Sequence, residues 1–196
     1  MTTVRPRRSV LYMPGANTRA LEKARTLPAD ALIFDLEDAV APDAKEAART
    51  NVVLAAESKA YGKREIVIRC NGLGTPWGEA DIAAIAQSGA DALLVPKVES
   101  AAAVTHVVSL IDTAGAPASM AVWAMMETPK GILRAEEIAG SHPRLAVFIM
   151  GTNDLVKDMR ARHTPMRLPM ITALGIGMLA ARAHGLGPPA CRAPAR

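Results

Sequence analysis

Charged side chains recur in this 196-residue chain where apolar runs give out: DLEDAV at 35 to 40, RCNG at 69 to 72, PKVES at 96 to 100, METPKG at 126 to 131 and GTNDL at 151 to 155. On a strand, residues two apart share a face. Asp35 then lies with Glu37, Arg69 with Asn71 and Lys97 with Glu99, and the same parity groups Glu127 with Met125 and Asp154 with Thr152. If the runs are parallel strands, one rim gathers Asp35, Glu37, Glu99, Glu127 and Asp154 against only Arg69 and Lys97. So much negative charge in one concave place repels itself unless a cation sits in it, which points to a divalent metal.

Each position has its own chemistry and its own plain alternative. Glu127 and Asp154 would end consecutive strands, which lie about 4.8 Å apart, so both carboxylates could reach one ion. Mg²⁺ suits such a pair, because it takes one or two carboxylates and leaves its other positions to water and substrate oxygens. Equally, Asp154 could cap the turn after GTN, and Glu127 could pair with Lys130. Arg69 closes the run IVIR with a guanidinium shaped for two-point capture of a carboxylate. Its alternative is a structural bridge to Asp35 or Glu37. The acids of DLEDAV either hold metal-bound water and orient Arg69 or form a hydrogen-bonded rim. Lys97 invites a Schiff-base reading, opposed by surrounding acids that favour its protonated, non-nucleophilic form. In YMPGAN the helix start could receive a phosphate. His106, His142, His163 and His184 have no metal-ligand spacing and receive no role.

The elements that must position these groups follow from the same runs. RSVLYM, ALIFDLE, EIVIRC, ALLVPK, SMAVWAMME and LAVFIM begin near 8, 31, 65, 92, 119 and 145. The intervals between them suit a strand, a crossover helix and two short loops, so repeated β-α units and a parallel sheet are expected. Helices are expected from an Asn17 cap to Leu27, from Pro42 and Asp43 to Tyr61, and at about 78 to 88, 99 to 113 and 130 to 140. A longer one, from about 169 to 184, is apolar all round and should be buried or packed on another subunit. After Gly185 the tail GLGPPACRAPAR has no periodicity and is expected to be irregular. The domain reading is a partial barrel over 1–185 and an irregular Pro/Ala/Arg tail over 186–196.

Composition excludes several classes. Half the residues are hydrophobic but Trp, Tyr and Phe number two each, so the core rests on aliphatic residues and the ten Met. The formal charge of +4 is scattered apart from Arg5, Arg7 and Arg8, which does not point to nucleic acid. Cys70 and Cys191 imply no disulfide framework, and a cytoplasmic setting is expected. No run approaches the roughly 18 consecutive apolar residues of a membrane span. Pro14 and Gly15 interrupt the first apolar run, so no signal-peptide core is expected.

RSVLYMPGAN, ALIFDLEDAV, VIRCNG, LLVPKVES, METPKG and GTNDL, in that order, resemble the citrate lyase beta subunit-like CoA ester lyases of the HpcH/HpaI aldolase superfamily. The resemblance runs from about Arg8 to Gly185. It implies an α/β fold of the TIM (β/α)8 barrel type, incomplete here, with about six of eight strands present. It also implies Mg²⁺, with Mn²⁺ as a substitute, held by Glu127 and Asp154. Arg69 would bind the carboxylate of the oxo acid, with Glu127 also at the substrate and Glu37 and Asp38 placing metal-bound water or the base. The implied reaction cleaves or forms a 3-hydroxyacyl-CoA thioester such as malyl-CoA, citramalyl-CoA or a citryl thioester, giving an acyl-CoA and an oxo acid. The metal would act there as a Lewis acid on the hydroxyl and the developing carbonyl. Two alternatives stand beside it: an aldolase of the same superfamily acting on a free hydroxy-oxo acid, and a catalytically impaired remnant acting as a binding or assembly partner. Full-length members are expected to be homo-oligomers. The passage from AARAHGL into GPPACRAPAR departs from the family pattern, and a C-terminally truncated member is expected.

Overall fold

The computed structural model describes residues 7–191, with side chains through 187. They fall into two compact units, one built on residues up to 95 with 107–121, the other on 96–106 with 122 onward.

The first unit carries four parallel strands: β1 (Val10–Pro14), β2 (Ala31–Asp35), β3 (Glu65–Arg69) and β4 (Ala92–Val95). Between them run α1 (Thr18–Ala24), α2 (Lys45–Glu57), entered through a 3-10 turn at Pro42–Ala44, and α3 (Gly78–Gln87). β2, β3 and β4 are buried at every position. That is why they read as continuous apolar runs rather than as alternating ones. The Asn17 side chain accepts from the Ala20 amide, as its place before α1 predicts. At the opposite end of β3 from the charged cluster, Glu65 is buried and receives Arg7 at 2.6 and 2.8 Å.

The second unit carries β5 (Ala121–Met126, all but its first residue), β6 (Leu145–Met150) and β7 (Gly187–Cys191), also parallel. Its helices are α5 (Pro129–Leu133), α6 (Ala135–Ala139), α7 (Thr152–Asp158) and α8 (Leu168–Ala183), and α4 (Ala101–Thr113) contributes to both units. The helix expected over 130 to 140 breaks at Arg134, which ends α5 and begins α6 with non-helical angles.

Three expectations change. Gly187–Cys191 is a strand, not irregular chain, and pairs with β6. The register shifts between Val147 and Ile149, opposite Pro188 and Pro189, so residues without an N–H sit where regular ladder bonds are not required. Residues 192–196 of the expected tail lie outside the described residues. GTNDL is not strand end but the start of α7, because β6 stops at Met150. Of the two settings expected for α8, burial all round gives way and packing on another subunit does not: Met170, Ala173, Gly177, Ala180 and Ala181 face inward while Leu168, Ile171, Met178 and Leu179 are exposed. Small residues on its inner face let the helix approach closely, and a Cβ at Gly177 would stand 2.9 Å from the Met150 sulfur. Among the described residues no helix is long and apolar enough to cross a membrane.

Candidate functional site

In the first unit the charged cluster forms around Arg69. Asp35 and Arg69 end neighbouring strands and are register partners, so the two side chains meet directly. Arg69 donates from Nε to Asp35 Oδ1 at 2.7 Å and from Nη2 to Oδ2 at 2.6 Å, a planar two-point pair with both side chains buried. Its Nη1 stands 2.6 Å from Glu37 Oε2 and 3.3 Å from Asp38 Oδ2. The Tyr12 ring lies under the guanidinium, with Cζ 5.4 Å from its centroid. Burial works against the Arg69 charge, but the hydrogen bonds and charge of Asp35, with Glu37, outweigh it and raise the pKa above its ordinary value. Of the two readings of Arg69, the bridge to Asp35 and Glu37 is thus present.

The loop that carries these acids is fixed by its backbone. Asp35 Oδ1 accepts from the Glu37 amide at 2.8 Å, which turns the chain straight after β2. Lys45, buried in the first turn of α2, donates Nζ to the carbonyls of Leu36 and Glu37, each at 2.7 Å, and lies over the Trp77 ring at 5.5 Å. Burial lowers its pKa, and the charges of Asp35 and Glu37 oppose the shift. Sequence reasoning missed this residue. The available signal was a cation at a helix start, where the macrodipole disfavours positive charge unless another partner holds it.

Asp81 is a second omission. It is fully buried at the start of α3, takes Arg49 Nε at 2.6 Å, and accepts from the Asn71 amide at 2.9 Å and from Nδ2 at 2.6 Å. Asn71, two residues beyond Arg69, is thereby locked in place. An acid in a first helical turn reads from sequence as a dipole partner, so nothing marked Asp81 as more.

YMPGAN has a packing explanation. The Gly15 amide donates to Asp35 O at 2.8 Å, and a Cβ there would come within 2.9 Å of that oxygen and 2.8 Å of Val52 Cγ1. Cys70 is buried, and burial pushes its thiol pKa up, away from the reactive thiolate form.

In the second unit Glu127 follows β5 directly and is buried, and Gly151 follows β6 directly. Met126 and Met150 are register partners, and the Gly151 amide donates to Met126 O at 3.1 Å. Glu127 Oε1 accepts from the Lys97 amide at 2.9 Å. Lys97 has φ of 50°, a left-handed conformation that turns this amide inward while the side chain stays exposed. A Cβ at position 151 would stand 2.6 Å from Glu127 Oε2, so only a glycine can lie this close to the carboxylate. Asp154, half-buried, lies in the first turn of α7, so the strand-parity argument does not reach it, although it remains on the connection after β6. Lys130 pairs with Glu99 at 3.1 Å, and its hydrogen bond lowers the Glu99 pKa. Of the other acids placed in the motifs, Glu99 is therefore held to Lys130.

Glu127, buried directly after β5, and Asp154, half-buried on the connection after β6, are carboxylates of the kind that Mg²⁺ takes from a protein. Among the described residues no group of three or more His, Cys, Asp or Glu converges. A pair of carboxylates is nevertheless what this ion commonly takes from a protein.

The model of the HpcH/HpaI aldolase/citrate lyase family matches residues 8–187. The chain is 52% identical over 181 residues to a (3S)-malyl-CoA thioesterase of Cereibacter sphaeroides (strain KD131 / KCTC 12085), covering 92% of this chain and 61% of that protein. It is 36% identical over 187 residues to citrate lyase subunit beta of Escherichia coli (strain K12), covering 93% and 62%. The chain thus spans less than two thirds of the length of these relatives. Among solved structures, the citrate lyase beta subunit from Mycobacterium tuberculosis complexed with oxaloacetate and magnesium aligns with a TM-score of 0.75 at 26% identity, covering 94% of this chain and 78% of that one.

Proposed function

The chain belongs to the HpcH/HpaI aldolase/citrate lyase family, with the α/β architecture of a partial TIM-type barrel, and on that premise we propose that it carries the metal and oxo-acid sites of a Mg²⁺-dependent carbon-carbon lyase. The substrate is a 3-hydroxyacyl-CoA thioester of the malyl-CoA type, and the products are an acyl-CoA and an oxo acid. The single observation that carries this reading is Glu127: a buried carboxylate at a strand end, with one oxygen fixed by the Lys97 amide and the other beside a glycine whose Cβ would crowd it. The malyl-CoA thioesterase relative and the magnesium and oxaloacetate in the Mycobacterium tuberculosis structure support the same ligand classes.

In this reading Glu127 and Asp154 hold Mg²⁺, or Mn²⁺ in its place. When bound, the ion supplies Lewis acidity to the substrate hydroxyl and to the carbonyl that replaces it. Arg69 orients the oxo-acid carboxylate, and Asp35 and Tyr12 keep the guanidinium in its plane. Glu37 and Asp38 supply acids beside that carboxylate. Lys45 fixes the loop from which they project. In cleavage the hydroxyl proton leaves as the bond between the hydroxyl-bearing carbon and the thioester α-carbon breaks, and the thioester enolate takes up a proton to give the acyl-CoA. A cytoplasmic location and homo-oligomeric assembly belong to the same proposal.

The test is acetyl-CoA release from malyl-CoA and propionyl-CoA release from the corresponding methylmalyl thioester, with Mg²⁺ and with excess chelator. Release that depends on Mg²⁺ is expected. Mg²⁺-independent cleavage would contradict the proposal.

A further inference from the structure

Arg69 presents two unequal edges. The Nε and Nη2 edge is filled by Asp35, a buried two-point partner at 2.7 and 2.6 Å that is also its strand neighbour. Displacing it would strand a buried charge. The Nη1 edge is held differently. Glu37 stands at 2.6 Å with its side chain 13% exposed, and Asp38 at 3.3 Å with its side chain 49% exposed. Asp38 is therefore the long, solvent-facing contact, and its carboxylate can return to water at small cost. The backbone beneath it does not move with it, because Lys45 holds the carbonyls of Leu36 and Glu37 and Asp35 holds the Glu37 amide.

We infer that Asp38 is a resident counter-ion that the oxo-acid carboxylate replaces on Arg69 Nη1, so that it sets oxo-acid affinity by competition. The inference rests on the proposed role of Arg69 toward oxo acids and deepens it. One anion leaves Nη1 as another arrives, so the charge around the buried guanidinium is conserved. Neither Asp35 nor the strand end has to shift. A neutral side chain at 38 removes the solvent-facing competitor, while Glu37 keeps its own contact with Nη1. The acid therefore favours release of the oxo acid over its retention.

Calorimetric titration with glyoxylate in saturating Mg²⁺ tests this on the whole chain. Asp38→Asn is expected to tighten binding by about two- to fivefold, the range of a half-exposed ion pair. Asp43→Asn, which removes an equal charge from the nearby exposed turn, is expected to leave affinity unchanged. Unchanged or weaker binding in Asp38→Asn, or equal tightening in both variants, would overturn the inference. Arg69→Lys separates the two levels: retained affinity there removes the role of Arg69 and the exchange with it, while loss there with an unresponsive Asp38→Asn removes the exchange alone. Since a lysine in this buried place can unfold the chain, carboxyl resonances of ¹³C-labelled aspartate in the wild type give an independent reading. Glyoxylate is expected to shift the Asp38 signal and leave that of Asp35 in place. A silent Asp38 signal at saturation would refute the exchange.

Discussion

Glu127 and Gly151 are fitted to each other: a Cβ added at 151 would lie 2.5 Å from the Glu127 Cβ and 2.6 Å from its Oε2. The two residues follow paired strands in register, so neither backbone can retreat without breaking the ladder between β5 and β6. Gly151→Ala is accordingly expected to cost about 1–3 kcal/mol, as overpacking does in a closed core. It should also turn the Glu127 carboxylate away and weaken Mn²⁺ binding. Urea denaturation and a Mn²⁺ titration read the two effects separately.

Removing the charge from either acid beside Arg69 should have very different consequences. Asp35→Asn leaves a buried guanidinium without its two-point anion and is expected to destabilise by about 3–5 kcal/mol. Asp38→Asn, whose side chain is 49% exposed, is expected to change stability by no more than about 1 kcal/mol. Chemical denaturation of the two variants checks the contrast, and similar losses would contradict the ranking of these contacts.

Asp30 clips the segment before β1 by accepting from the Arg8 and Ser9 amides and from Arg8 Nη2, at 2.8, 3.1 and 2.9 Å. The Arg8 hydrogen bond, helped by those amides and opposed by desolvation, lowers its pKa from 3.8 to about 2. A folded value below the unfolded one means that the stabilisation is present above the unfolded value and disappears as pH falls through the folded one. This contribution should therefore be intact above about pH 4 and lost on approach to about pH 2, and Asp30→Asn should remove that part of the acid dependence. Carboxyl NMR titration gives the midpoint directly.

Much of the fold was legible because burial on both faces leaves a simple trace. The strands β2, β3, β5 and β6 lie within the apolar runs that announced them, and Asn17 capped the helix it precedes. The Arg69 cluster was legible as a pair of alternatives, since a strand-end arginine beside DLED suits a bridge as well as a clamp. Pattern failed where tertiary contacts decide. GTNDL has too few residues to show whether a strand continues or a helix begins, and α7 starts directly after Gly151. Lys45 showed in the sequence only as a cation at a helix start, because its partners are backbone carbonyls, which leave no mark there. Pro188 and Pro189 argued against a strand, and β7 accommodates them only through its irregular register with β6.

The proposed function depends on Glu127 and Asp154 holding the metal. Electron paramagnetic resonance of Mn²⁺ titrated into the wild-type chain and into Glu127→Ala, Asp154→Ala and the double variant tests it without recourse to activity. Saturable binding in the wild type, weakened in each single variant and abolished in the double variant, is the predicted result; an unchanged Mn²⁺ affinity in the double variant would contradict it.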